Sequence, residues 1–172
     1  MVEEQSATNA EKQLASYFAK YEPATTKLGK ALRAKLRKRL PGHSEVVYVY
    51  ESQSSLVISY SPTENGYDAV CTLALYPSLV KLFFTGGPQL SKADPKKLLK
   101  GSGKMVRYVE LSSAADLDRA EIEALMAAAL KLSKPQANAK GSLIIKAEAQ
   151  KQRRAKKAAP KSSPRKKAKA KR

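Results

Sequence analysis

The stretch whose residue types best suit phosphate chemistry is residues 98–111, LLKGSGKMVRYVEL. A glycine-rich loop cradles nucleotide phosphates when it follows the pattern Gly, four residues, Gly-Lys-Ser/Thr, between a strand and a helix. Here Leu98 stands where the first glycine is required, Met105 replaces the hydroxyl residue, and the loop precedes a predicted strand. We therefore predict a structural turn in which Gly101 and Gly103 adopt positive φ.

Cations in and beside this turn suggest a small anion site. The three candidates are Lys100, Lys104 and Arg107.

The remaining reactive side chains form no catalytic constellation. His43 is the only histidine and lies in a predicted turn, where an exposed side chain is the common outcome. Cys71 is the only cysteine and lies among apolar strand residues, as expected of a small core residue. One His and one Cys cannot supply a zinc ligand set. We predict a protein that is not an enzyme and has no cofactor.

A group of acidic residues at the start of the last predicted helix is the best candidate for metal binding, since hard cations prefer oxygen ligands. The group is Asp116, Asp118, Glu121 and Glu123. Acidic side chains also stabilise the positive end of a helix. We favour that second interpretation, because the sequence shows no extended acidic ridge, and we predict no metal site.

Charge is distributed very unevenly along the chain. The net charge is +18, and residues 151–172 contain twelve Lys/Arg and no acid. Residues 1–150 carry +6, because 21 basic residues there face all 15 acidic ones. The last 22 residues contain only Lys, Arg, Ala, Pro, Ser and one Gln, so they cannot bury apolar surface, and we predict that they are disordered alone.

This cationic tail predicts contact with nucleic acid. It resembles the tails of linker histones, and Ser163-Pro164-Arg165-Lys166 is similar to their minor-groove Ser-Pro-Lys-Lys units. Lysine and arginine bind phosphates without sequence preference, by releasing counterions, so binding should be salt-sensitive. Solubility, localisation or contact with a membrane surface are alternative roles for the tail, and DNA versus RNA stays open. The predicted contacts are Lys151, Arg153, Arg154, Lys156, Lys157, Lys161, Arg165, Lys166, Lys167, Lys169, Lys171 and Arg172, assisted by Arg33 and Arg37 of the second predicted helix.

Apolar periodicity predicts two helices before the strands. The first spans about residues 10–21, with Thr8 and Glu11 as a capping box. The second spans about residues 24–40, with a leucine every fourth residue from Leu28 to Leu40. A third helix is predicted over residues 115–133, after the strands.

Five strands are predicted between these helices from their β-branched and aromatic residues. They span residues 45–52, 55–61, 68–76, 78–84 and 105–112. Asp94-Pro95 should cap a short helical turn before the last of them. Short connections favour antiparallel pairing, so we predict an α+β fold: one antiparallel sheet with the helices packed on one face.

The domain organisation follows from this pattern. We predict a flexible N-terminus (1–8), an α+β domain (9–134), a linker (135–150) and the tail (151–172). Residues 143–145, Leu-Ile-Ile, either dock as an edge strand or stay mobile.

The segment FFTGGPQLSKADPKKLLKGSGKMVRYVEL resembles the YdhG-like domain family, a family of unknown function. The Gly-Gly pair, Asp94-Pro95, Leu98-Leu99, the Gly-Ser-Gly-Lys turn and Arg107 carry the resemblance, which spans about residues 10–133. It implies an α+β domain. One branch of the family is similar to frataxin-type iron chaperones, which makes metal or small-ligand handling by the folded domain the alternative function. The resemblance supplies no catalytic residues.

Five tyrosines of the predicted strands are candidates for a platform on which bases stack: Tyr48, Tyr50, Tyr60, Tyr76 and Tyr108. The consensus of RNA-recognition motifs is absent, so we favour a core or structural role for these tyrosines.

No apolar run approaches 18 residues, the N-terminus has no apolar signal region, and one cysteine cannot form an internal disulfide. We expect a cytoplasmic protein without membrane insertion that associates with the nucleoid.

Overall fold

The structure, a computed structural model, describes residues 2–136 and 140–146, with side chains from residue 5 onward. It is an α+β fold in which α-helices pack on a six-stranded mixed sheet. The helices are α1 (Val2–Phe18), α2 (Pro23–Arg39) and α3 (Ala120–Leu132), and the strands are β1 (Ser44–Tyr50), β2 (Ser55–Ser61), β3 (Cys71–Leu75), β4 (Val80–Thr85), β5 (Val106–Leu111) and β6 (Leu143–Ile145). Short 3₁₀ segments, Gly87–Ala93 and Ala114–Asp118 among them, connect these elements.

The N-terminal helices show where local pattern decides a boundary. Pro23 occupies the first turn of α2, where its missing N–H costs nothing, and the helix closes with the N–H of Leu40 on the carbonyl of Leu36. The predicted start of α1 was wrong, because the helix begins at Val2 and Thr8 lies inside it. Residues 2–9 are largely Glu, Gln, Ala and Ser. Several of these are good helix formers, so the helix extends through this segment although the segment has no apolar face.

The sheet has the strand order β5-β4-β3-β2-β1-β6. Strands β1 to β5 pair antiparallel, as predicted from their short connections. The prediction of a purely antiparallel sheet of about five strands was wrong, because β6 adds a sixth strand parallel to β1. Of the two predicted outcomes for residues 143–145, docking as an edge strand is therefore the one observed.

Strand alternation divides the sheet into an inner face, on which the helices pack, and an outer face. Val47, Ile58, Leu73, Leu82 and Val109 form one row of the inner face across five strands. The buried helix residues cluster with this face. They are Leu14 and Phe18 of α1, Leu32 and Leu36 of α2, and Ile122, Leu125, Met126 and Ala129 of α3. The predicted packing of the helices on one face is thus what the core shows.

The segment before β5 differs from its prediction in two respects. Asp94 caps a turn, accepting hydrogen bonds from the N–H groups of Leu98 (2.7 Å) and Leu99 (2.9 Å), while the helical residues are the preceding 3₁₀ segment. Gly101 has the predicted positive φ of 96°. Gly103 does not have the predicted positive φ. Glycine is required at this position because a Cβ would lie 2.5 Å from the carbonyl oxygen of Val106.

The third helix also begins later than predicted. The 3₁₀ segment Ala114–Asp118 occupies the first predicted turns, and α3 starts at Ala120. None of the helices in the described residues is long and apolar enough to cross a membrane.

Candidate nucleic-acid interface

Helix α2 is the most basic element among the described residues. It contains no acidic residue and seven basic ones: Lys27, Lys30, Arg33, Lys35, Arg37, Lys38 and Arg39. Its leucines face the core, so the basic residues divide between the edges of the buried face, where they meet carboxylates, and the solvent-facing surface. That division determines which of them can meet a phosphate.

Arg33 is used inside the protein. Its guanidinium donates to both carboxylate oxygens of Glu11 (2.7 and 2.8 Å) and to both of Glu45 (2.6 and 2.8 Å). Only 13% of the Arg33 side chain is exposed. The two carboxylates raise the pKa of Arg33 despite its burial. Arg33 thus joins α1, α2 and β1, and we leave it out of the proposed phosphate contacts.

Lys35 and Arg39 form a second link between α2 and the C-terminal elements. Lys35 pairs with Asp118. Arg39 contacts Asp118 at 2.9 Å and Glu123 at 3.1 Å. These pairs fix α2 against the 3₁₀ segment and α3, so both cations are already neutralised.

The remaining basic side chains of α2 face the solvent and form what we call the α2 row: Lys27, Lys30, Arg37 and Lys38. At 100° per residue they occupy one sector of the helix, about 16 Å long. Of the two auxiliaries predicted from sequence, only Arg37 belongs to it; it also approaches Glu11 at 3.4 Å. The sequence does contain a signal for this distinction. The angular position of each basic residue on the helix, measured from the leucine stripe, places Lys27, Lys30 and Lys38 farther from the buried face than Arg33.

The twelve cations of the tail lie outside the described residues. The chain leads toward them from β6, where the N–H of Lys146 bonds to the carbonyl of Val47 at 2.8 Å. Lys146 is the last residue that the structure describes, and it follows directly on the edge strand β6.

The four acidic residues considered for metal binding are each engaged by other groups. Asp116 accepts hydrogen bonds from the N–H groups of Ser112 (2.8 Å) and Ser113 (2.9 Å), and although burial opposes the shift, these bonds lower its pKa. Asp118 and Glu123 pair with α2 as described above.

Glu121 pairs with Lys96, which lowers the pKa of that carboxyl group. Within the described residues, no group of three or more His, Cys, Asp or Glu side chains is arranged to hold a metal ion.

The three cations of the candidate anion site do not converge. Lys100 pairs with Glu110 at 2.8 Å, which raises the pKa of Lys100, and it lines a cleft with Ala24 and Leu28. Lys104 lines a different cleft, of about 480 Å³, beside Met105 and Leu132. Arg107 turns its Nε toward the carbonyl oxygen of Gly103 at 3.4 Å.

Neither of the lone reactive residues forms a nucleophilic pair in the described residues. The Nδ1 of His43 lies 3.4 Å from the carbonyl oxygen of Pro41. Cys71 is fully buried in β3, and burial raises the pKa of its thiol far above the usual range, which keeps it protonated and unreactive.

Comparison of the chain with protein-family models, with curated proteins and with solved structures found no match. The resemblance to the YdhG-like family therefore stays a prediction from sequence.

Proposed function

We propose that this protein binds nucleic acid without sequence specificity, through the cationic tail and with the α2 row as a second contact. The observation that carries the proposal is the segment of 22 residues with twelve Lys/Arg and no acid. Such a segment binds a polyanion by displacing condensed counterions, and it contributes no rigid geometry that reads base edges.

The α2 row supports the proposal because it supplies rigid positive charge on the folded domain. Arg33, Lys35 and Arg39 pair with the nearby carboxylates Glu11, Glu45, Asp118 and Glu123. Arg37 of the row also contacts Glu11 at 3.4 Å and Glu45 at 3.9 Å, so Lys27, Lys30 and Lys38 supply most of the positive charge of the row. The carboxylates considered for the metal-handling alternative, Asp116, Asp118, Glu121 and Glu123, are each engaged by backbone N–H groups or by cations. We therefore develop the nucleic-acid function alone.

Deletion of residues 147–172 tests the role of the tail. We expect the loss of most affinity for a mixed-sequence duplex at low salt, with little change in melting temperature. The matched control carries the same 26 residues in scrambled order and should bind like the native chain, because charge and not order supplies the affinity. Undiminished duplex affinity after the deletion would refute the proposal.

A charge-matched pair of variants tests the α2 row. Replacement of Lys27, Lys30, Arg37 and Lys38 by Gln should weaken duplex binding at low salt by about tenfold. Replacement of four exposed lysines elsewhere, Lys92, Lys97, Lys104 and Lys131, changes the net charge equally and should weaken binding less. Equal losses in the two variants would show that α2 contributes only to net charge.

A further inference from the structure

The outer face of the sheet is rich in aromatic side chains. Alternation places Tyr48, Tyr50, Phe83 and Tyr108 on it, and Tyr76 directly follows β3 in the same phase. All five are partly exposed. Tyr60, the other strand tyrosine, belongs to the inner face and is buried in the core. The predicted core role of the strand tyrosines is therefore observed for Tyr60. It does not account for the aromatic side chains on the outer face.

Part of the outer face is covered by the loop between β2 and β3. Gly66 lies against the ring of Tyr48, because a Cβ at Gly66 would come within 2.6 Å of the Tyr48 hydroxyl. The Nζ of Lys146 donates to the carbonyl of Glu64 in the same loop at 2.7 Å. The loop therefore covers part of the Tyr48 ring, and the outer-face aromatics on and beside β3 to β5 are Tyr76, Phe83 and Tyr108, all partly exposed.

The aromatic strip consists of Tyr76, Lys81, Phe83 and Tyr108. Tyr50, on β1, contacts Tyr48 instead, with ring centroids 6.4 Å apart. The Nζ of Lys81 lies 4.2 Å from the ring centroid of Tyr108 and 5.4 Å from that of Tyr76. The rings of Phe83 and Tyr108 are 5.2 Å apart and inclined at 46°. The Lys81 ammonium thus lies near the rings of both Tyr76 and Tyr108, and the Tyr108 ring in turn contacts Phe83.

The charge around the strip favours an anionic occupant. Glu110 lies opposite Lys81 in the β4–β5 register and is paired with Lys100 at 2.8 Å, a contact that lowers the pKa of Glu110. Two lysines, Lys81 and Lys100, thus face this single carboxylate, so the net charge of the three groups is positive.

We propose that the aromatic strip binds single-stranded nucleic acid, with bases stacked on the exposed parts of the rings and a phosphate near Lys81. Aromatic side chains with flanking cations are the common device for holding unpaired bases, since every base has a face that stacks. Bases in a duplex are already stacked on each other and cannot use the rings. Such binding presupposes the proposed nucleic-acid function and adds a preference for single strands to it.

The test compares the full-length chain with a Phe83→Leu/Tyr108→Leu variant, using labelled oligothymidylate and a mixed-sequence duplex. Leucine keeps apolar volume on the sheet but offers no ring. The variant should bind oligothymidylate about tenfold more weakly and the duplex as before. Phe83→Tyr/Tyr108→Phe, which keeps both rings, should bind both ligands like the native chain. Tyr67→Leu, at an exposed aromatic residue that lines the cleft beside Leu132, is the matched control outside the strip.

Intrinsic fluorescence gives a second readout that a structural role would not move. The chain has eight tyrosines and no tryptophan, and two of the eight, Tyr76 and Tyr108, belong to the strip, so a part of the tyrosine emission comes from it. Oligothymidylate should quench it in the native chain and less in the leucine variant, at equal melting temperatures.

The outcomes separate the two proposals. Unchanged oligothymidylate affinity in the leucine variant, with duplex binding intact, would overturn stacking and leave the tail function standing. Absence of binding to either nucleic acid at low salt would remove both proposals. Equally tight binding of oligoglutamate, lost in the same variant, would mean that the strip takes an acidic protein segment instead.

Discussion

Arg33 of α2 and Glu45 of β1 form a two-point ion pair, with Nε 2.8 Å from Oε1 and Nη2 2.6 Å from Oε2. The side chains of Arg33 and Glu45 are only 13% and 6% exposed, so the pair is largely shielded from water. The pair holds the basic helix on the edge of the sheet next to β6.

Loss of Arg33 should destabilise the fold without weakening nucleic-acid binding. Arg33→Ala leaves Glu45 buried without its main partner, which costs about 3 kcal/mol of unfolding free energy. Arg37→Ala, at a residue that is half exposed, should cost less than about 1 kcal/mol. Urea unfolding followed by circular dichroism measures both. Equal effects of the two substitutions would contradict the assigned role of Arg33.

The ion pairs predict a loss of stability in acid. Hydrogen bonds from Arg33 lower the pKa of Glu11 below its ordinary 4.5. A lowered folded-state pKa means that the stabilisation is present above the unfolded value and disappears as pH falls through the folded value. Glu11→Gln should therefore melt below the native chain near neutral pH, and the difference should shrink as the pH is lowered progressively below 4.5. A difference in melting temperature that does not change with pH would show that the charge of Glu11 does not stabilise the fold.

Two truncations locate the end of the folded domain. A chain ending at Lys146 should melt like the full-length protein. A chain ending at Lys140 loses β6, whose residues Leu143 and Ile145 pack against the core, and should melt at least about 5 °C lower. Thermal denaturation of the two truncated chains decides the matter; identical melting temperatures would show that β6 contributes no stability.

Gly103 should tolerate no side chain, for a reason of space. A Cβ there would meet the carbonyl oxygen of Val106 at 2.5 Å, so Gly103→Ala must move the turn before β5 and should cost at least about 1 kcal/mol. Lys104→Ala, at the next position, should be neutral to stability and leave ATP binding at background. Micromolar ATP binding by the native chain, lost in Lys104→Ala, would show instead that the turn is a nucleotide loop.

Duplex binding should depend steeply on salt. If the tail neutralises about six to eight phosphates, the slope of log affinity against log salt is about −5 to −7. Any residual preference should favour A·T-rich minor grooves, through Ser163-Pro164-Arg165-Lys166. Titrations of two unrelated duplexes at several salt concentrations measure both quantities. A slope shallower than about −2 would mean that the tail is not the main contact.

The sequence by itself determined the elements that depend on near neighbours in the chain. The span of β2 agrees with its prediction, and α2 lies within one residue of it, because strand alternation and a four-residue leucine repeat are local signals bounded by Pro and Gly. The antiparallel pairing of β1 to β5 followed from their short connections. The charge asymmetry of residues 151–172 is likewise a property of the sequence alone.

Only the tertiary structure decided which side chains are available for function. Arg33 and Arg37 are alike in the sequence, yet the guanidinium of Arg33 is fully engaged in ion pairs with Glu11 and Glu45, which lie 22 and 12 residues away. The parallel pairing of β6 with β1 joins segments about one hundred residues apart, and no local pattern encodes a partner at that distance. Contacts between distant segments are selected by the packing of the whole core. For the same reason the outer-face aromatics could be counted in the sequence, but their grouping around Lys81 required the register of the assembled strands.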